Sequence, residues 1–115
     1  MLSIPERLKN PDNAGILIVN SHRKIVGFTP NLLRIWNLPE VIIKSLSDQR
    51  ALEFVSEGFD NPKLFLKDMT EIYEQTHLEI NEKVKLKDGS IIQRHSKPLC
   101  FNGVYAGRLW RFERH

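Results

Sequence analysis

Residues 78–112 read LEINEKVKLKDGSIIQRHSKPLCFNGVYAGRLWRF, and this stretch decides the fold. Its first part alternates apolar with polar side chains, which predicts a strand with one buried face and one face in water. Lys87-Asp-Gly89 and Asn102-Gly103 have the composition of hairpin turns. The chain therefore crosses one sheet three times as an antiparallel meander. The predicted strands are residues 78–86, 90–99 and 107–112.

Two further strands are predicted near the start of the chain. Gly15-Ile-Leu-Ile-Val-Asn20 is apolar at consecutive positions and rich in β-branched residues. This pattern is typical of a strand that is buried on both faces at the centre of a sheet. Ser21-His-Arg23 is a polar turn, and Lys24-Ile-Val-Gly-Phe28 returns as a second strand. Together the two segments predict a β-hairpin.

The residues between the hairpin and the meander carry helix signals. Thr29-Pro30 offers a hydroxyl that can accept a free backbone N–H and a proline suited to the first helical position, so a helix is predicted up to Trp36. The longest helix starts at Asp60 or Asn61 and runs to about Gln75, because its apolar residues recur every three or four positions. This order predicts an α+β fold, with one antiparallel sheet and the helices on one face. Short helical turns are expected at residues 39–43 and 48–55.

Length and composition are those of a soluble globular domain. The chain has 115 residues, of which 41% are hydrophobic and 27% charged, enough for one core. We assign residues 14–113 to a single domain and residues 1–13 to a flanking segment. The net charge is +3, but the basic residues are spread along the chain, so nucleic-acid binding is not expected. No apolar run is long enough to insert into a membrane and no signal peptide is legible, which indicates a cytoplasmic location.

The order of these segments resembles a PAS domain, the sensory module of many bacterial signalling proteins. The resemblance covers about residues 14–113 and implies a five-stranded antiparallel sheet of order 2-1-5-4-3 with helices packed on one face. Two departures are Thr29, where family members often have asparagine, and Glu113-Arg114-His115, where many have an Asp-Ile-Thr-like junction. The segments that carry the resemblance are residues 15–20, 24–29, 32–39, 86–89, 94–98 and 107–112.

The resemblance implies a sensor. Such a domain binds a small ligand or a partner and regulates an output domain, here expected to be a histidine kinase or a diguanylate cyclase in the same or a partner chain. It has no catalytic activity of its own, and we expect none here. The alternative is a ligand-free PAS module that serves as a dimerisation scaffold. Trp36 and Phe65 line the ligand pocket in the first case; in the second they close it together with Leu32, Phe54 and Met69.

The resemblance does not identify a cofactor, but it argues against two cofactors that relatives bind, flavin and haem. Flavin photoreceptors of this family carry a reactive cysteine in an Asn-Cys-Arg-Phe motif, whereas Cys100 falls at the end of a predicted strand. Haem-binding relatives supply a histidine from the long helix, and residues 61–75 contain none; His77 lies just beyond. We therefore expect neither a photoactive flavin nor haem. No metal-binding or catalytic motif is present.

Strand parity predicts which meander residues face the helices. With a three-residue first turn, Glu82 shares a face with Arg94 and Ser96; with a two-residue second turn, Arg94 lies opposite Arg111. Two opposed guanidinium groups need a counter-charge. Glu82 supplies it in a purely structural network, or the arginines bind the carboxylate of a small anionic ligand. A shorter first turn would instead direct inward Ile91, Gln93 and His95.

The same parity predicts an apolar patch on the opposite face of the sheet. Trp110 and Phe112 would point away from the helices together with Ile91. A large exposed apolar patch marks an interface, so we expect a homodimer that forms through these residues. The alternative is that the N-terminal segment folds over the patch through Leu2, Ile4 and Leu8.

Overall fold

A computed structural model of the chain describes residues 14–115, and the predicted flanking segment 1–13 lies outside the described residues. Within residues 14–115 the chain forms a five-stranded antiparallel sheet of order β2-β1-β5-β4-β3, which confirms the predicted α+β architecture. The strands are β1 (Gly15–Asn20), β2 (Ile25–Phe28), β3 (Ile80–Lys85), β4 (Ile91–Phe101) and β5 (Val104–Arg114). The helices are α1 (Pro30–Trp36), α2 (Glu40–Ile43), α3 (Asp48–Ser56) and α4 (Pro62–Glu74).

Side chains at the helix ends fix where the helices begin. Asn61 accepts a hydrogen bond from the backbone N–H of Leu64 at 3.1 Å, as predicted for the cap of α4. Ser47 caps α3 in the same way. Thr29 is the N-cap residue of α1, as predicted, but its hydroxyl does not cap the helix. It accepts from the backbone N–H of Ile16 at 3.0 Å, which ties the start of α1 to strand β1. In the first turn the N–H of Leu32 donates instead to the Thr29 carbonyl at 3.0 Å.

The core lies between the helices and one face of the sheet. Alternate residues of β1 and β5 point into it, so Leu17 and Val19 pack beside Trp110 and Phe112. From the helices come Leu32, Ile35, Phe65, Met69 and Ile72, all buried. This burial of apolar surface is the main favourable term for folding.

The β4–β5 hairpin contains a bulge that the sequence analysis did not anticipate. Cys100 lies opposite Tyr105, but Leu99 lies opposite Gly107, so the pairing passes over Ala106. Every residue of β5 beyond this point is shifted by one position relative to an unbroken ladder. Because side chains alternate between faces, the shift turns each of them to the other side of the sheet.

Gly107 follows the bulge, where strand β1 comes very close. Its φ of +150° lies outside the range that other residues adopt easily, and a Cβ atom there would lie 2.1 Å from the carbonyl oxygen of Val19. Gly27 in β2 has ordinary space, because a Cβ atom there would lie 3.6 Å from the nearest atom of Ile18. The bulge and the glycine together allow β1 and β5 to pair.

We predict that Gly107→Ala lowers the free energy of unfolding by at least about 2 kcal/mol, because backbone atoms must move to relieve the contact with Val19. The matched variant Gly27→Ala should change it by less than about 0.5 kcal/mol. Urea unfolding followed by circular dichroism measures both. Equal effects of the two substitutions would contradict this account of the bulge.

Candidate functional site

The inner face of the sheet and helices α1 to α4 enclose a small cavity. Its volume is about 40 Å³, room for a single water molecule, whereas pockets for small ligands span roughly 300–1,000 Å³. Trp36 and Phe65, predicted from the sequence as pocket residues, both lie on its wall. Phe112 packs edge-on against Trp36, with 5.2 Å between ring centroids. The other apolar wall residues are Leu17, Leu32, Leu38, Ile43, Ala51, Leu52, Val55 and Met69.

One charged side chain, Asp48, reaches the wall of this cavity. It is the first residue of α3 and is 1% exposed. Its Oδ2 accepts a hydrogen bond from Nη2 of Arg23 at 3.2 Å, and its backbone N–H donates to the Arg23 carbonyl at 3.2 Å. The Arg23 side chain, 30% exposed, reaches Asp48 from the turn between β1 and β2. Its guanidinium group also stacks 4.4 Å above the ring centroid of Tyr73.

Burial dominates the electrostatics around Asp48. Loss of water raises the pKa of its carboxyl group. The charge and hydrogen bond of Arg23 and a hydrogen bond with Tyr73 offset this only in part. Burial, followed by the negative charge of Asp48, also raises the pKa of the Tyr73 hydroxyl. That hydroxyl accepts a hydrogen bond from Nε1 of Trp110 at 3.0 Å. Strand β5, helix α4 and the start of α3 therefore meet at a chain of polar contacts beside the cavity.

The predicted contact between Glu82 and Arg94 is present. The two residues lie directly opposite each other on β3 and β4, which confirms the predicted register of this hairpin and rules out the shorter first turn. Nε of Arg94 donates to Oε1 of Glu82 at 2.9 Å, and Nη2 donates to the same oxygen. Nη1 lies 3.4 Å from Sδ of Met69. Of the two alternatives, this arrangement matches the structural network of Glu82 and Arg94. An anionic ligand at Arg94 stays a prediction.

Ser96 belongs to a second buried network, with an arginine that the sequence analysis did not select. Arg108 is fully buried, and its Nη1 donates to Oγ of Ser96 at 2.9 Å and to the carbonyl of Leu78 at 2.9 Å. Its Nη2 donates to the carbonyl of Gln75, the residue that ends α4, at 3.1 Å. The guanidinium charge is thus held by carbonyl oxygens at the negative end of the helix dipole.

Three placements on β5 were predicted wrongly, because the bulge shifts this strand by one residue. Arg111 lies opposite His95 on the outer face of the sheet and not opposite Arg94. Trp110, opposite Ser96, is 0% exposed and lies in the core, and Phe112 is buried beside it. Neither ring is available for an interface between two copies of the chain. Ile91, 37% exposed, does lie outside the core.

The outer face of the sheet carries a shallow groove in place of the predicted aromatic patch. Its volume is about 420 Å³, and it lies over strands β3, β4 and β5. Leu109 forms its apolar part, and Ile18, half-buried, lies opposite Leu109 on the neighbouring strand. The polar side chains along it are Glu79, Asn81, His95, Lys97 and Arg111.

Comparison with solved structures decides what this architecture is. No family model and no curated protein matches the sequence. The sensor region of a sensor histidine kinase superposes with a TM-score of 0.65 at 11% identity over 87% of this chain; our chain spans 38% of that structure. A PAS domain from Colwellia psychrerythraea superposes with a TM-score of 0.57 at 14% identity over 96% of this chain and 94% of its own. The chain has the PAS fold.

A third structure extends the comparison of PAS folds. It is a domain from Haloarcula marismortui described as part of a light and redox sensing histidine kinase, and it superposes with a TM-score of 0.63 at 10% identity. The match covers 95% of our chain and 94% of that domain. At these identities the likeness establishes the PAS fold alone.

Other chemistry in this PAS fold is limited. Among residues 14–115 no three His, Cys, Asp or Glu side chains are grouped so that they could hold a metal ion. Cys100 is exposed at the tip of the β4–β5 hairpin. Across the same residues no helix is long and apolar enough to cross a membrane; α4, with 13 residues, is the longest.

Asp48, Tyr73 and Arg108 are the functional-site residues that sequence reasoning missed. Asp48 has the local pattern of an ordinary acidic residue in the first turn of a helix, and its burial depends on Arg23, 25 positions earlier. Arg108 was overlooked because the unbroken ladder directed it outward. A signal for Tyr73 was present in the apolar spacing of α4, but it indicated only a core position.

We predict that Asp48→Asn raises the melting temperature at about pH 7. Because the pKa of Asp48 is higher in the folded than in the unfolded chain, its stabilising contribution is complete below the unfolded-state pKa and is lost as pH rises through the folded-state value. Asparagine cannot ionise, so the advantage of the variant should disappear near pH 3. Arg23 remains partly in water and is not left as a stranded charge.

Thermal unfolding across this pH range measures the effect, with Asp68→Asn, an exposed carboxyl in α4, as the control. The control should show no comparable gain at neutral pH. An Asp48→Asn variant that is less stable than the wild type at every pH would contradict the prediction.

Proposed function

We propose that this chain is a PAS sensory domain that binds a small ligand between its sheet and its helices and thereby regulates an attached output domain. The observation that carries the proposal is the enclosed cavity, whose apolar wall includes a buried carboxylate. The kinship in fold with sensor regions of histidine kinases supports the same interpretation. A histidine kinase is the output that this comparison favours; a diguanylate cyclase is the alternative output.

A ligand in this cavity is well placed to act on the sheet. Trp110 and Phe112 face the cavity side of β5, whereas Leu109 and Arg111 alternate with them on the outer face. A displacement of β5 caused by the ligand therefore changes both faces at once. The ligand shifts the population only to the extent that it binds one arrangement of the strand more tightly than the other. Regulation of the output follows from that difference in affinity.

A ligand-free dimerisation scaffold is the second candidate. The observation in its favour is the cavity volume of about 40 Å³, which leaves no room for a ligand without movement of the wall. A scaffold needs an interface, and the outer-face groove with Leu109 and Ile18 is the surface we propose for it. A homodimer through this face is compatible with either function.

We predict that the domain purified under native conditions retains a small molecule. Mass spectrometry detects it as an excess over the summed mass of the protein chains, 13.4 kDa for each copy, and the excess is lost on denaturation. Ala51→Leu fills the cavity from α3 and should abolish retention, because the added methylene groups occupy the ligand volume. The control Glu53→Leu changes an exposed position of the same helix. A native mass that the copies of the chain account for by themselves would favour the scaffold.

We also predict that the domain forms a homodimer at micromolar concentration and that Leu109→Glu reduces it to a monomer. A carboxylate there would lose its water against the second copy, which opposes dimerisation even with Lys97 beside it on β4. The control is Val41→Glu, at a valine on α2 that is 68% exposed. Sedimentation equilibrium measures the mass of all three proteins. An unchanged mass for Leu109→Glu would exclude this face as the interface.

A further inference from the structure

The two edges of the sheet are protected to different degrees. At the β2 edge, Ile25 donates to the carbonyl of Leu46 at 2.8 Å, and Lys24 forms an isolated bridge with Ser47. The segment before α3 therefore covers that edge. At the other edge, the only strand that pairs with β3 among residues 14–115 is β4, and no loop of this part of the chain bonds to the β3 backbone in the same way. An uncovered edge can pair with the backbone of another chain.

Hydrogen-bond parity identifies the backbone groups that this edge presents. Leu86 donates to the carbonyl of Ser90 at 2.9 Å, where the β3–β4 hairpin closes, and the next carbonyl, that of Ile91, bonds on its other side to His115. Bonding toward one neighbour alternates along an antiparallel strand. Every second residue of β3 therefore directs its N–H and C=O groups away from β4. These residues are Asn81, Lys83 and Lys85.

A groove of about 440 Å³ runs beside this edge on the helix side of the sheet. Helix α4 contributes the exposed Asp68 and Glu71, and β3 with the residue before it contributes Glu79 and Glu82. The guanidinium group on the wall belongs to Arg94, whose side chain is 9% exposed and already paired with Glu82. The groove therefore presents negative charge, although the net charge of the chain is +3.

The outer face of the same edge carries the opposite charge. Lys83 and Lys85 alternate with Glu82 along β3, so they point away from the helices. An added strand would meet carboxylates on its helix side and lysines on its outer side. A second copy of β3, paired antiparallel like every other strand of this sheet, does not match, because it would bring like charges together on both faces.

We infer that the free edge of β3 binds an extended segment of another protein, which joins the sheet as an added antiparallel strand and carries lysine or arginine at alternate positions. The basic side chains lie in the groove beside Asp68, Glu71 and Glu79, and the residues between them lie beside Lys83 and Lys85. Backbone hydrogen bonds supply affinity, and the alternation of side chains supplies specificity. The groove shares no wall residue with the cavity, so this inference goes beyond the proposed sensory function and is independent of a ligand.

Three peptides of about nine residues, acetylated and amidated, test the pattern and the charge. Lysine and threonine alternate in the first; the second has the same composition with its lysines in one block; the third has glutamate in place of lysine. Titration calorimetry with the full chain should detect binding of the first, at least about tenfold weaker binding of the second, and none of the third.

Hydrogen exchange shows where the alternating peptide binds. The amide groups of Asn81, Lys83 and Lys85 should become protected when it is added, because they acquire partners. Those of Glu82 and Val84, which are bonded to β4, should change little.

Methylation of the peptide nitrogens tests the added strand directly. Residues opposite each other in an antiparallel pair direct their side chains to the same face, and those in hydrogen-bonded pairs exchange both bonds. The threonines, which lie opposite Lys83 and its alternate neighbours, therefore donate to β3, whereas the lysine N–H groups point to water. N-methylation of the threonines should abolish binding, and N-methylation of the lysines should leave it nearly unchanged.

Variants of the protein give the reciprocal comparison. Lys83→Pro removes an outward N–H without breaking a bond to β4, a position where an edge strand tolerates proline, and it should abolish binding. Lys83→Ala removes the same side chain, keeps the N–H and should bind at least as well as the wild type. Glu71→Lys should weaken binding at least about fivefold. Glu53→Lys makes the same charge change at an exposed position of α3 and should weaken it less than about twofold.

The outcomes are decisive for the β3 edge. Equal affinity for the alternating and the block peptide would overturn the inference, because charge attraction alone would then explain binding. Binding that survives both Lys83→Pro and methylation of the threonines would do the same. Absence of binding by the alternating peptide would overturn it outright. None of these results affects the retention of a small molecule in the cavity, so the sensory function is tested separately.

Discussion

The bulge between β4 and β5 determines which face of the sheet every later residue of β5 occupies. It is possible because Gly107 lets the backbone of β1 approach where any side chain would collide with Val19. Through it Trp110 and Phe112 enter the core, and Arg108 reaches the end of α4. The cavity wall, the contact with Tyr73 and the outer-face groove all depend on this one-residue shift. A ladder without it would bury Leu109 and Arg111 instead.

Buried polar groups join the two layers in a way that apolar packing alone cannot. Arg108 is surrounded by carbonyl oxygens and the Ser96 hydroxyl, so its orientation is set by the loop after α4. Trp110 donates to Tyr73 close to the same, C-terminal end of α4. Directional bonds of this kind select one arrangement of helix and sheet from many of similar apolar burial.

Alternation and turn composition are local signals, and they allowed the strands, the helix positions and the β3–β4 register to be predicted. The strand order came from the resemblance to PAS domains. Trp36 and Phe65 were predicted as pocket residues from the resemblance alone. The position of Trp110 could not be predicted, because the sequence Arg108-Leu-Trp-Arg-Phe112 gives the same kind of pattern in either register. Each face of the strand receives one arginine and at least one apolar residue, so the bulge leaves no mark in the alternation. Asp48 could not be identified as a site residue, because its burial arises from contacts with Arg23 and Tyr73, which are distant in sequence.

The placement of the two tryptophans gives the domain a built-in optical reporter. Trp36 forms part of the cavity wall, and Trp110 is fully buried with its indole N–H bonded to Tyr73. The chain contains no other tryptophan. Its tryptophan emission therefore originates from two rings that border the cavity or the polar contacts beside it. Filling of the cavity can be followed through the intensity and wavelength of this emission, without any label.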